Sequence, residues 1–574
     1  MQDINTLINV ITKKGNLSKF LFLFFLSFLL VFLEAISLVS LASLGSILTG
    51  NEILLNTIFK IDYNFNYSEI LFCIVFFFFL KNLFLVIYNF SQSKFAGKLF
   101  FVQSKNLYLS FSSKSYLRKI QKKPEELIRK ISSDSISAVD YLFVIFNLIK
   151  EFMLLVGIVV LLFISNNHPV LIIFFIFLII GLIFFKVFKN FLKKISNKFI
   201  DGQTKIISIL SQTFGSLKEN FIYKNNSSLQ TKFEKLLYDV RDFYFYRGFI
   251  ISLPRITFEI TALIAIIIAA FFMFKTGSLE KDLINKISLL SVISLRLIPS
   301  FNIITTNLSM IKIYQNFFNI VQKDLQNNKS TKEDKSIFQK ISPKKTLINF
   351  EKKLRYSNVN FAYPGSNNKL FNKAEIAITK NKIIGIYGAS GSGKTTLIDY
   401  LIGLLDIPKN KININGKLIR NRFEFENDLI GYVPQDPFLL NDTIKKNIIF
   451  NRNSRKIKNS QIKSAIQLAR INKFVNKLRK KENTIIGHDG IFLSGGQKQR
   501  IVIARAILFK PKLLILDEAT NALDKNTESE IIKDISRMKK KMSIILITHD
   551  SELIKKCDVV FKIKNKKILT INNN

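Results

Sequence analysis

Six long apolar stretches, all before about residue 309, constrain the fold of this chain more than any other feature. A membrane hydrocarbon core about 30 Å thick is crossed by a helix of about 20 mostly apolar residues. Six segments meet this requirement: 20–48, 70–90, 142–165, 169–188, 249–274 and 283–305. Open strands would leave unpaired backbone groups in lipid, so these segments are predicted to be membrane-spanning α-helices.

The connections between these segments differ in charge. Residues 91–140 and 186–247 are rich in Lys and Arg, whereas 49–69, 166–169 and 275–282 hold few cations. Since membrane proteins keep Lys and Arg on the cytosolic side, the N-terminus and the two long connections are predicted to be cytosolic. An even number of spans then returns the rest of the chain to the cytosol. Apolar residues recur at helical spacing in both long connections, which indicates that they extend the spans as helices.

Past the last apolar segment the composition becomes that of a soluble, Lys-rich domain. We therefore predict a transmembrane domain at 1–325, a linker at 326–350 and a soluble domain at 351–574. The formal net charge of +43 does not indicate a nucleic-acid partner, because the basic residues are dispersed and form no aromatic-interleaved stripe. Cys73 lies in an apolar segment and Cys557 in the soluble domain, so no disulfide is expected.

A phosphate-binding loop follows an apolar, strand-like run that ends at Tyr387. The loop reads GASGSGKT, from Gly388 to Thr395, and a helical pattern follows it. This strand–loop–helix setting makes the motif specific, since glycines let backbone N–H groups converge on phosphate oxygens at a helix N-terminus. Lys394 is expected to reach the β- and γ-phosphates of ATP, and Thr395 to hold Mg²⁺. The residues predicted to bind nucleotide here are Gly388, Ser390, Gly391, Gly393, Lys394, Thr395 and Thr396.

An acidic pair closes a second apolar, strand-like run at 513–516. Asp517 is placed to hold Mg²⁺, directly or through water. Glu518 is the predicted general base, which polarises the attacking water. A solvated strand end is the simpler interpretation of such a pair, but a phosphate loop needs an acidic partner and nothing else in the sequence supplies one.

The segment LSGGQKQR, residues 493–500, lies between these two motifs. With it, the soluble domain resembles the nucleotide-binding domain of ABC transporters. The resemblance implies that this segment of one subunit closes on the γ-phosphate held by the phosphate loop of the other. The residues concerned are Ser494, Gly495, Gly496 and Gln497. One chain carries one copy of each motif, so a homodimer with two composite sites is the simplest active assembly, with a heterodimer as the alternative.

The other elements of that family appear in order. Tyr363 in NFAYPG matches the aromatic residue that stacks on adenine, and Gln435 in GYVPQDPFLLN matches the Q-loop, which senses Mg²⁺ and the membrane helices. Asp524 in NALD matches the D-loop, and His549 in ILITHD matches the histidine that contacts the γ-phosphate. The resemblance therefore implies a catalytic set of Glu518, His549 and Gln435, and metal ligands Thr395, Gln435 and Asp517.

Six spans before one such domain are the arrangement of ABC half-exporters, so the resemblance covers the whole chain. It implies an all-α transmembrane domain of six helices, like type I ABC exporters, followed by a cytosolic α/β P-loop ATPase domain with an α-helical subdomain. In the run TIIGHDG, His488 replaces the glutamate usual in exporters, and Asp550 stands after His549 in place of the commoner Arg. Neither departure touches the catalytic set, so ATP hydrolysis coupled to transport is expected.

Three cations stand out within the apolar spans. Lys81, Arg255 and Arg296 lie on the second, fifth and sixth spans, where ionisable residues are costly and indicate function. If they face a central cavity, they form a cationic substrate site suited to a phosphate-bearing head group. The alternative is neutralisation: Glu259 follows Arg255 by one helical turn, and Glu34 in the first span can pair with Lys81 or Arg296.

The membrane half also resembles the bacterial flippases of lipid-linked oligosaccharides. The matching stretches are EAISLVS, PRITFE and LRLIPSFNIITT, in the first, fifth and sixth spans. This resemblance implies a homodimer in the bacterial inner membrane that uses ATP to move a polyprenyl-diphosphate-linked glycan. It also implies a short external amphipathic helix at 52–61, for which an ordinary loop is an equal alternative. An exporter of another lipid, a peptide or a drug-like compound is the alternative function.

Overall fold

The computed structural model divides the chain into two compact units, one formed mainly by residues up to Lys335 and one mainly by residues from Ser336 onward. The structure describes residues 16–49, 66–112, 123–164, 168–223, 226–275, 280–330, 346–348, 351–362, 369–405, 412–419, 423–425, 428–450, 452, 457–487, 490–519 and 524–571. The predicted external helix at 52–61, Tyr363 and His488 lie outside these residues.

The first unit is helical throughout its described elements. These are α1 (Leu17–Thr49), α2 (Tyr67–Ser112), α3 (Pro124–Arg129), a π-helical turn (Lys130–Asp134), α4 (Ser135–Ile164), α5 (His168–Gly215), α6 (Leu217–Tyr223), α7 (Asn226–Lys275) and α8 (Glu280–Ser330). Four described stretches are long and apolar enough to cross a membrane: Leu17–Leu41, Ser68–Ser112, Pro124–Phe163 and Phe174–Gly215. The predicted fifth and sixth spans fall within α7 and α8, where the side chains of 272–295 are not described.

Several helices are much longer than a bilayer requires. α2, α5 and α7 contain 46, 48 and 50 residues, against the about 20 that span a hydrocarbon core. Over the described residues, these helices continue from the apolar spans into the two long connections. The apolar runs supply the spanning portion, and amphipathic sequence supplies the extension.

Aromatic packing holds α5, α7 and α8 together. The ring centroids of Phe177, Phe258 and Phe301 lie 5.2, 5.5 and 5.7 Å apart in pairs, and all three side chains are nearly fully buried. In contrast to these buried rings, Phe72 and Phe79 of α2 are 70% and 68% exposed within one chain. Phe-rich outer faces of this kind suit lipid or a partner helix rather than water.

The second unit combines three sheets with short helices. Its strands are β1 (Thr346–Ile348), β2 (Lys353–Phe361), β3 (Phe371–Thr379), β4 (Ile383–Gly388), β5 (Ile412–Ile414), β6 (Lys417–Ile419), β7 (Phe423–Phe425), β8 (Ile430–Val433), β9 (Leu513–Asp517), β10 (Ser543–Ile547), β11 (Val559–Lys564) and β12 (Lys567–Ile571). Its helices are α9 (Lys394–Leu401), α10 (Ile444–Ile449), α11 (Asn459–Leu468), α12 (Asn472–Lys477), α13 (Gly495–Ile507), α14 (Lys525–Arg537) and α15 (Ser551–Lys555), with 3-10 turns at Lys481–Asn483 and Met538–Lys540.

The largest sheet has the strand order β12-β11-β4-β10-β9-β8, and all its pairs are parallel except β11–β12. A second sheet, β3-β2-β5-β6, is antiparallel, and β1 pairs with β7. Continuous apolar runs form the central strands because parallel strands are buried on both faces. In β9, Leu514 and Leu516 face the core that contains α13, whereas Leu513 and Ile515 face the core beneath α9 and the antiparallel sheet.

The proposed linker at 326–350 begins inside α8, which continues to Ser330, and contains the short strand β1. Most of its remaining residues lie outside the described part of the chain. The expected fold class is confirmed: a helical unit with candidate membrane helices precedes an α/β unit built on a parallel sheet.

Candidate functional site

The register of the parallel sheet brings three sequence motifs to one edge. In β4, β9 and β10, Ile386, Asp517 and Ile547 are aligned across neighbouring strands. The phosphate loop therefore leaves the same edge of the sheet as Glu518 and His549, which follow β9 and β10. Ligand sites of open α/β sheets form at the carboxyl ends of parallel strands, so this edge is the expected site.

Two glycines give the phosphate loop its shape. Gly391 and Gly393 have φ values of +74° and +96°, a region that residues with a Cβ rarely adopt. A Cβ on Gly393 would also lie 2.9 Å from Leu370 Cδ2, whereas one on Gly391 would meet nothing within 4 Å. Gly393 is the N-cap of α9, so the loop ends at a helix N-terminus suited to binding phosphate.

The amine of Lys394 lies inside the loop. It donates to the carbonyl oxygens of Gly388 and Ala389, at 3.1 and 3.3 Å, and its nitrogen is 3.0 Å from Nε2 of His549. The side chain is only 8% exposed. A buried cation needs partners, and here carbonyl dipoles supply them. Phosphate oxygens offer the same amine a stronger, charge-assisted interaction.

Glu518 connects the predicted catalytic residues. Its Oε2 accepts a hydrogen bond from Gln435 Nε2 at 2.9 Å, and its Oε1 lies 3.1 Å from His549 Nε2 and 3.8 Å from Lys394 Nζ. The backbone of Glu518 has φ +47°, in the left-handed region, and its N–H donates to Ile547 at 3.1 Å. Strained backbone persists where surrounding contacts hold it, and this strain lies at the proposed general base.

The residues proposed for Mg²⁺ supply oxygen ligands, as this ion prefers. Asp517 is 3% exposed, accepts a hydrogen bond from the Tyr432 hydroxyl at 3.2 Å, and has a pKa raised by burial. Thr395 is exposed at the start of α9. Ser392 Oγ, in the same loop, is buried with no hydrogen-bond partner in the described structure. An orphaned hydroxyl and a carboxylate beside a cationic loop fit a bound Mg²⁺–nucleotide.

The LSGGQ segment opens α13 with a reciprocal capping arrangement. Ser494 Oγ accepts from the Gln497 N–H at 3.3 Å, and Gln497 Oε1 accepts from the Ser494 N–H at 3.0 Å. Gly495 and Gly496 form the first helical positions, where small residues leave the helix N-terminus accessible. Within the described residues of a single chain, no hydrogen bond or ion pair joins this segment to the phosphate loop.

The remaining predicted positions are placed as follows. Asp524 caps α14 by accepting from the Thr527 N–H at 2.9 Å, and this backbone hydrogen bond lowers the pKa of its carboxyl. Ser390 is exposed in the loop, and Thr396 is buried in the first turn of α9. The residue that sequence reasoning missed is Tyr432, which holds Asp517. Tyr432 is the third residue of the short strand β8, and no motif there indicated that its hydroxyl would reach Asp517.

The three intramembrane cations all have carboxylate partners. Lys81 Nζ lies 3.3 Å from Glu34 Oε2, and Arg296 Nε lies 2.7 Å from Glu34 Oε1. Arg255 Nε donates to Glu259 Oε1 at 2.8 Å on its own helix, and both side chains are more than half exposed. The structure therefore brings Lys81 and Arg296 together around one carboxylate, while Arg255 belongs to a separate intrahelical pair.

A second buried carboxylate, Glu151 of α4, extends this cluster and was not predicted. It is 1% exposed, accepts from Ser300 Oγ at 3.1 Å, and lies 3.7 Å from Arg296 Nη2. Lys150 Nζ is 3.3 Å from the same carboxylate. Lys150 and Glu151 are adjacent ionisable residues in an apolar span, and this sequence feature could have identified them as candidate functional residues.

The site and fold together define a class: a P-loop ATP-binding unit joined to a unit of membrane-length helices, as in ATP-powered membrane transporters. More specifically, residues 371–521 match the ABC transporter family model. This part of the chain is an ABC-type ATP-binding domain with ATP and Mg²⁺ as its ligands, and the chain as a whole has the fold of an ABC exporter. Its long apolar helices are those expected of a multi-pass membrane protein.

The whole-chain likeness comes from a solved structure of a bacterial Atm1-family ABC exporter with ATP bound. The match has a TM-score of 0.77 at 17% identity and covers 97% of this chain and 95% of that one. At this identity the likeness concerns the fold alone.

Sequence relatives match over shorter stretches. A putative export ATP-binding/permease protein of Rickettsia typhi is 41% identical over 219 residues, which is 38% of each chain. An ATP-dependent lipid A-core flippase of Pectobacterium atrosepticum is 35% identical over 221 residues, again 38% of each chain. An ABC transporter B family member of Arabidopsis thaliana is 37% identical over 222 residues. The alignments thus span well under half of these relatives.

Proposed function

We propose that this chain is an ATP-driven exporter that works as a homodimer with two composite ATP sites. The observation that supports this most is the cluster of Lys394, Glu518, His549 and Gln435 at one sheet edge, together with an LSGGQ segment elsewhere in the same unit whose Ser494 is exposed. Each chain carries one phosphate loop and one LSGGQ segment, and in a dimer each phosphate loop would meet the LSGGQ segment of the other chain.

The proposed hydrolysis uses groups already in contact. Lys394 exchanges its carbonyl partners for phosphate oxygens, while Glu518 takes a proton from the attacking water as general base. Gln435 and His549, which both contact the Glu518 carboxylate, orient it. Thr395, Gln435 and Asp517 would hold Mg²⁺, which neutralises charge on the phosphates. Closure of the two ATP-binding units and its reversal after hydrolysis would drive the membrane helices between two arrangements.

Two engineered heterodimers test whether the sites form between chains. In the first, one chain carries Lys394→Ala and the other Ser494→Arg. In the second, one chain carries both changes and its partner is wild type. If LSGGQ acts on the partner's phosphate loop, the first heterodimer keeps one intact site and traps nucleotide with vanadate, whereas the second keeps none.

A site formed within one chain gives the reverse pattern, which would contradict the proposal. Undiminished ATP hydrolysis by a strictly monomeric preparation would contradict it as well. The wild-type heterodimer, made with the same two affinity tags, is the control for assembly.

For the cargo, we propose a polyprenyl-diphosphate-linked oligosaccharide, flipped across the bacterial inner membrane with the ATP-binding unit in the cytosol. Support comes from Lys81, Arg255 and Arg296, three cations on membrane helices that suit a diphosphate. Support for a lipid cargo in general comes from relatives described as lipid A-core flippases.

The alternative cargo is another lipid, a peptide or a drug-like compound. One observation favours it: each of the three cations already has a carboxylate partner within 3.3 Å. Reconstitution in liposomes with a fluorescent polyprenyl-diphosphate glycan, with and without ATP, distinguishes the two. ATP-dependent flipping that falls when the three cations are replaced by Gln supports the diphosphate cargo, and unchanged flipping contradicts it.

A further inference from the structure

Glu34 is the centre of a charge cluster that joins three membrane helices. It lies on α1, is 7% exposed, and contacts Lys81 of α2 and Arg296 of α8 through different carboxylate oxygens. Each oxygen therefore serves one cation. Charged groups at membrane depth are stable only when they are paired, so this arrangement is energetically meaningful.

The second carboxylate in the cluster has a different environment. Glu151 has a side chain only 2% exposed and is held by Ser300, Lys150 and Arg296. Its contact with Arg296 is 3.7 Å, one ångström longer than the 2.7 Å contact of Glu34. Of the two carboxylates that contact Arg296, Glu151 is thus the more buried one, enclosed by α4 and α8, and Glu34 is the nearer one.

The cations are the most accessible members. The side chains of Arg296 and Lys81 are 22% and 15% exposed, against 10% for Glu34 and 2% for Glu151. Lys81 Nζ also lies 4.5 Å from the ring centroid of Phe78. This cation–π contact is with a neutral ring, so it does not neutralise the charge of Lys81. An incoming anion would therefore meet the two cations first and would compete with Glu34 for them.

The helix that carries Arg296 is locally weakened. Pro299 lies inside α8, three residues after Arg296, and proline cannot donate the hydrogen bond that would continue the helix. Ser300, the residue after Pro299, donates a hydrogen bond to Glu151 of the neighbouring helix α4. A small change in the bend of α8 at this point would move Arg296 relative to Glu34.

We propose that Glu34 is a displaceable counter-ion: the phosphate or diphosphate of an anionic lipid binds Lys81 and Arg296 by replacing Glu34, and the return of Glu34 expels it. Glu151, which Ser300 holds by a hydrogen bond, is a positioning residue that keeps its contact with the guanidinium during the exchange. This inference rests on the proposed export of an anionic lipid. It assigns to Glu34 the release of the bound anion, in addition to the neutralisation of Lys81 and Arg296.

The test uses full-length protein in liposomes, with ATP hydrolysis measured against increasing undecaprenyl diphosphate. Undecaprenol, which lacks phosphate, is the uncharged probe. The variants are Glu34→Gln, which removes the competing charge, and Glu34→Asp, which keeps the charge but withdraws it by one methylene. Glu219→Gln, a change at an exposed carboxylate of α6, is the matched control. Thermal unfolding of each purified variant reports its folding.

We expect the half-stimulating concentration of undecaprenyl diphosphate to fall about fivefold in Glu34→Gln, because a lost competitor of about 1 kcal/mol corresponds to this factor. Glu34→Asp gives an intermediate value, which keeps the test informative if Glu34→Gln does not fold. The maximal stimulated rate falls in parallel, since release becomes slower. Glu219→Gln leaves both quantities unchanged.

Two results would overturn the inference. If wild type responds to the diphosphate and both Glu34 variants keep or raise the half-stimulating concentration, Glu34 is only a structural partner and the export proposal survives. If wild type responds equally to undecaprenol and undecaprenyl diphosphate, the anionic cargo is wrong and the counter-ion role falls with it.

Discussion

The Nζ atom of Lys394 lies 3.0 Å from Nε2 of His549, although 155 positions separate them in sequence. The contact joins the start of α9 to the second residue after β10. Glu518 is within 3.1 Å of the same imidazole nitrogen, so one His links the phosphate-binding amine to the proposed general base. ATP phosphates that bind the amine must change this contact, which connects nucleotide binding directly to the catalytic carboxylate.

Replacing Glu518 by Gln should nearly abolish ATP hydrolysis. The amide retains the shape and a hydrogen bond to Gln435 but cannot accept a proton, so we expect a loss of at least about 100-fold in turnover. ATP binding should stay close to the wild-type value, because the carboxylate is a partner of the amine and not its main support. Turnover in liposomes and nucleotide binding by fluorescence measure the two effects.

Glu552→Gln provides the control for that experiment. Glu552 is an exposed residue in the first turn of α15, so the same chemical change there should leave turnover unaltered. Turnover by Glu518→Gln within a few-fold of wild type would show that another group is the base.

Two glycines in the phosphate loop should respond differently to alanine. Both have positive φ, so either substitution costs about 1–2 kcal/mol in backbone strain. Only at Gly393 does the new Cβ also meet Leu370 and Phe371, at 2.9 and 3.1 Å. We expect Gly393→Ala to weaken ATP binding more than tenfold and Gly391→Ala to weaken it less, as measured by nucleotide titration. Equal losses would mean that backbone strain alone governs the loop.

Cys557 should resist thiol reagents in the folded protein. Burial raises the pKa of its thiol to about 12, and the side chain packs against Gly385 of β4. Since the thiolate is the nucleophile, a raised pKa means that very little reactive form exists at pH 7–9. Mass spectrometry after N-ethylmaleimide treatment at pH 7 and pH 9 should find Cys557 unmodified. Labelling should appear once the protein is unfolded in guanidinium chloride, and rapid labelling of folded protein would contradict the burial.

A buried ion pair outside the ATP site should show strong coupling. Lys130, in the π-helical turn, lies 2.7 Å from Asp324 of α8, and both are at most 9% exposed. Lys130 Nζ also lies 2.7 Å from Glu126 Oε1, so Lys130→Met removes the cation from a buried, charged cluster and should lower stability by about 3 kcal/mol. The double variant Lys130→Met/Asp324→Leu should recover most of this loss in thermal unfolding in detergent. Additive losses would mean that the pair contributes independently through packing.

Much of the ATP-binding unit could be predicted because its motifs are local. The GASGSGKT loop needs positive φ at defined glycines, and Gly391 and Gly393 have it. The acidic pair needs a preceding buried strand, and β9 ends at Asp517. Because parallel strands align their carboxyl ends, motifs that follow such strands are expected at one edge of the sheet.

Contacts between side chains that are far apart in the sequence were harder to predict. Tyr432 supports Asp517 from a neighbouring strand, and Glu151 supports Arg296 from another helix, without any short motif. Glu34 was predicted to pair with Lys81 or Arg296, and it contacts both. Helical periodicity places a residue on a face, but the packing of several helices decides which faces meet.

By itself, the sequence determined the membrane-length helices, the phosphate loop and the order of strands and motifs, because each follows from chain-local polarity and backbone geometry. Only the tertiary structure decided that Lys394, His549, Glu518 and Gln435 converge, and that two carboxylates surround Arg296. The physical reason is that buried charges must be neutralised by whichever groups packing brings within a few ångströms. Sequence separation carries no information about that distance.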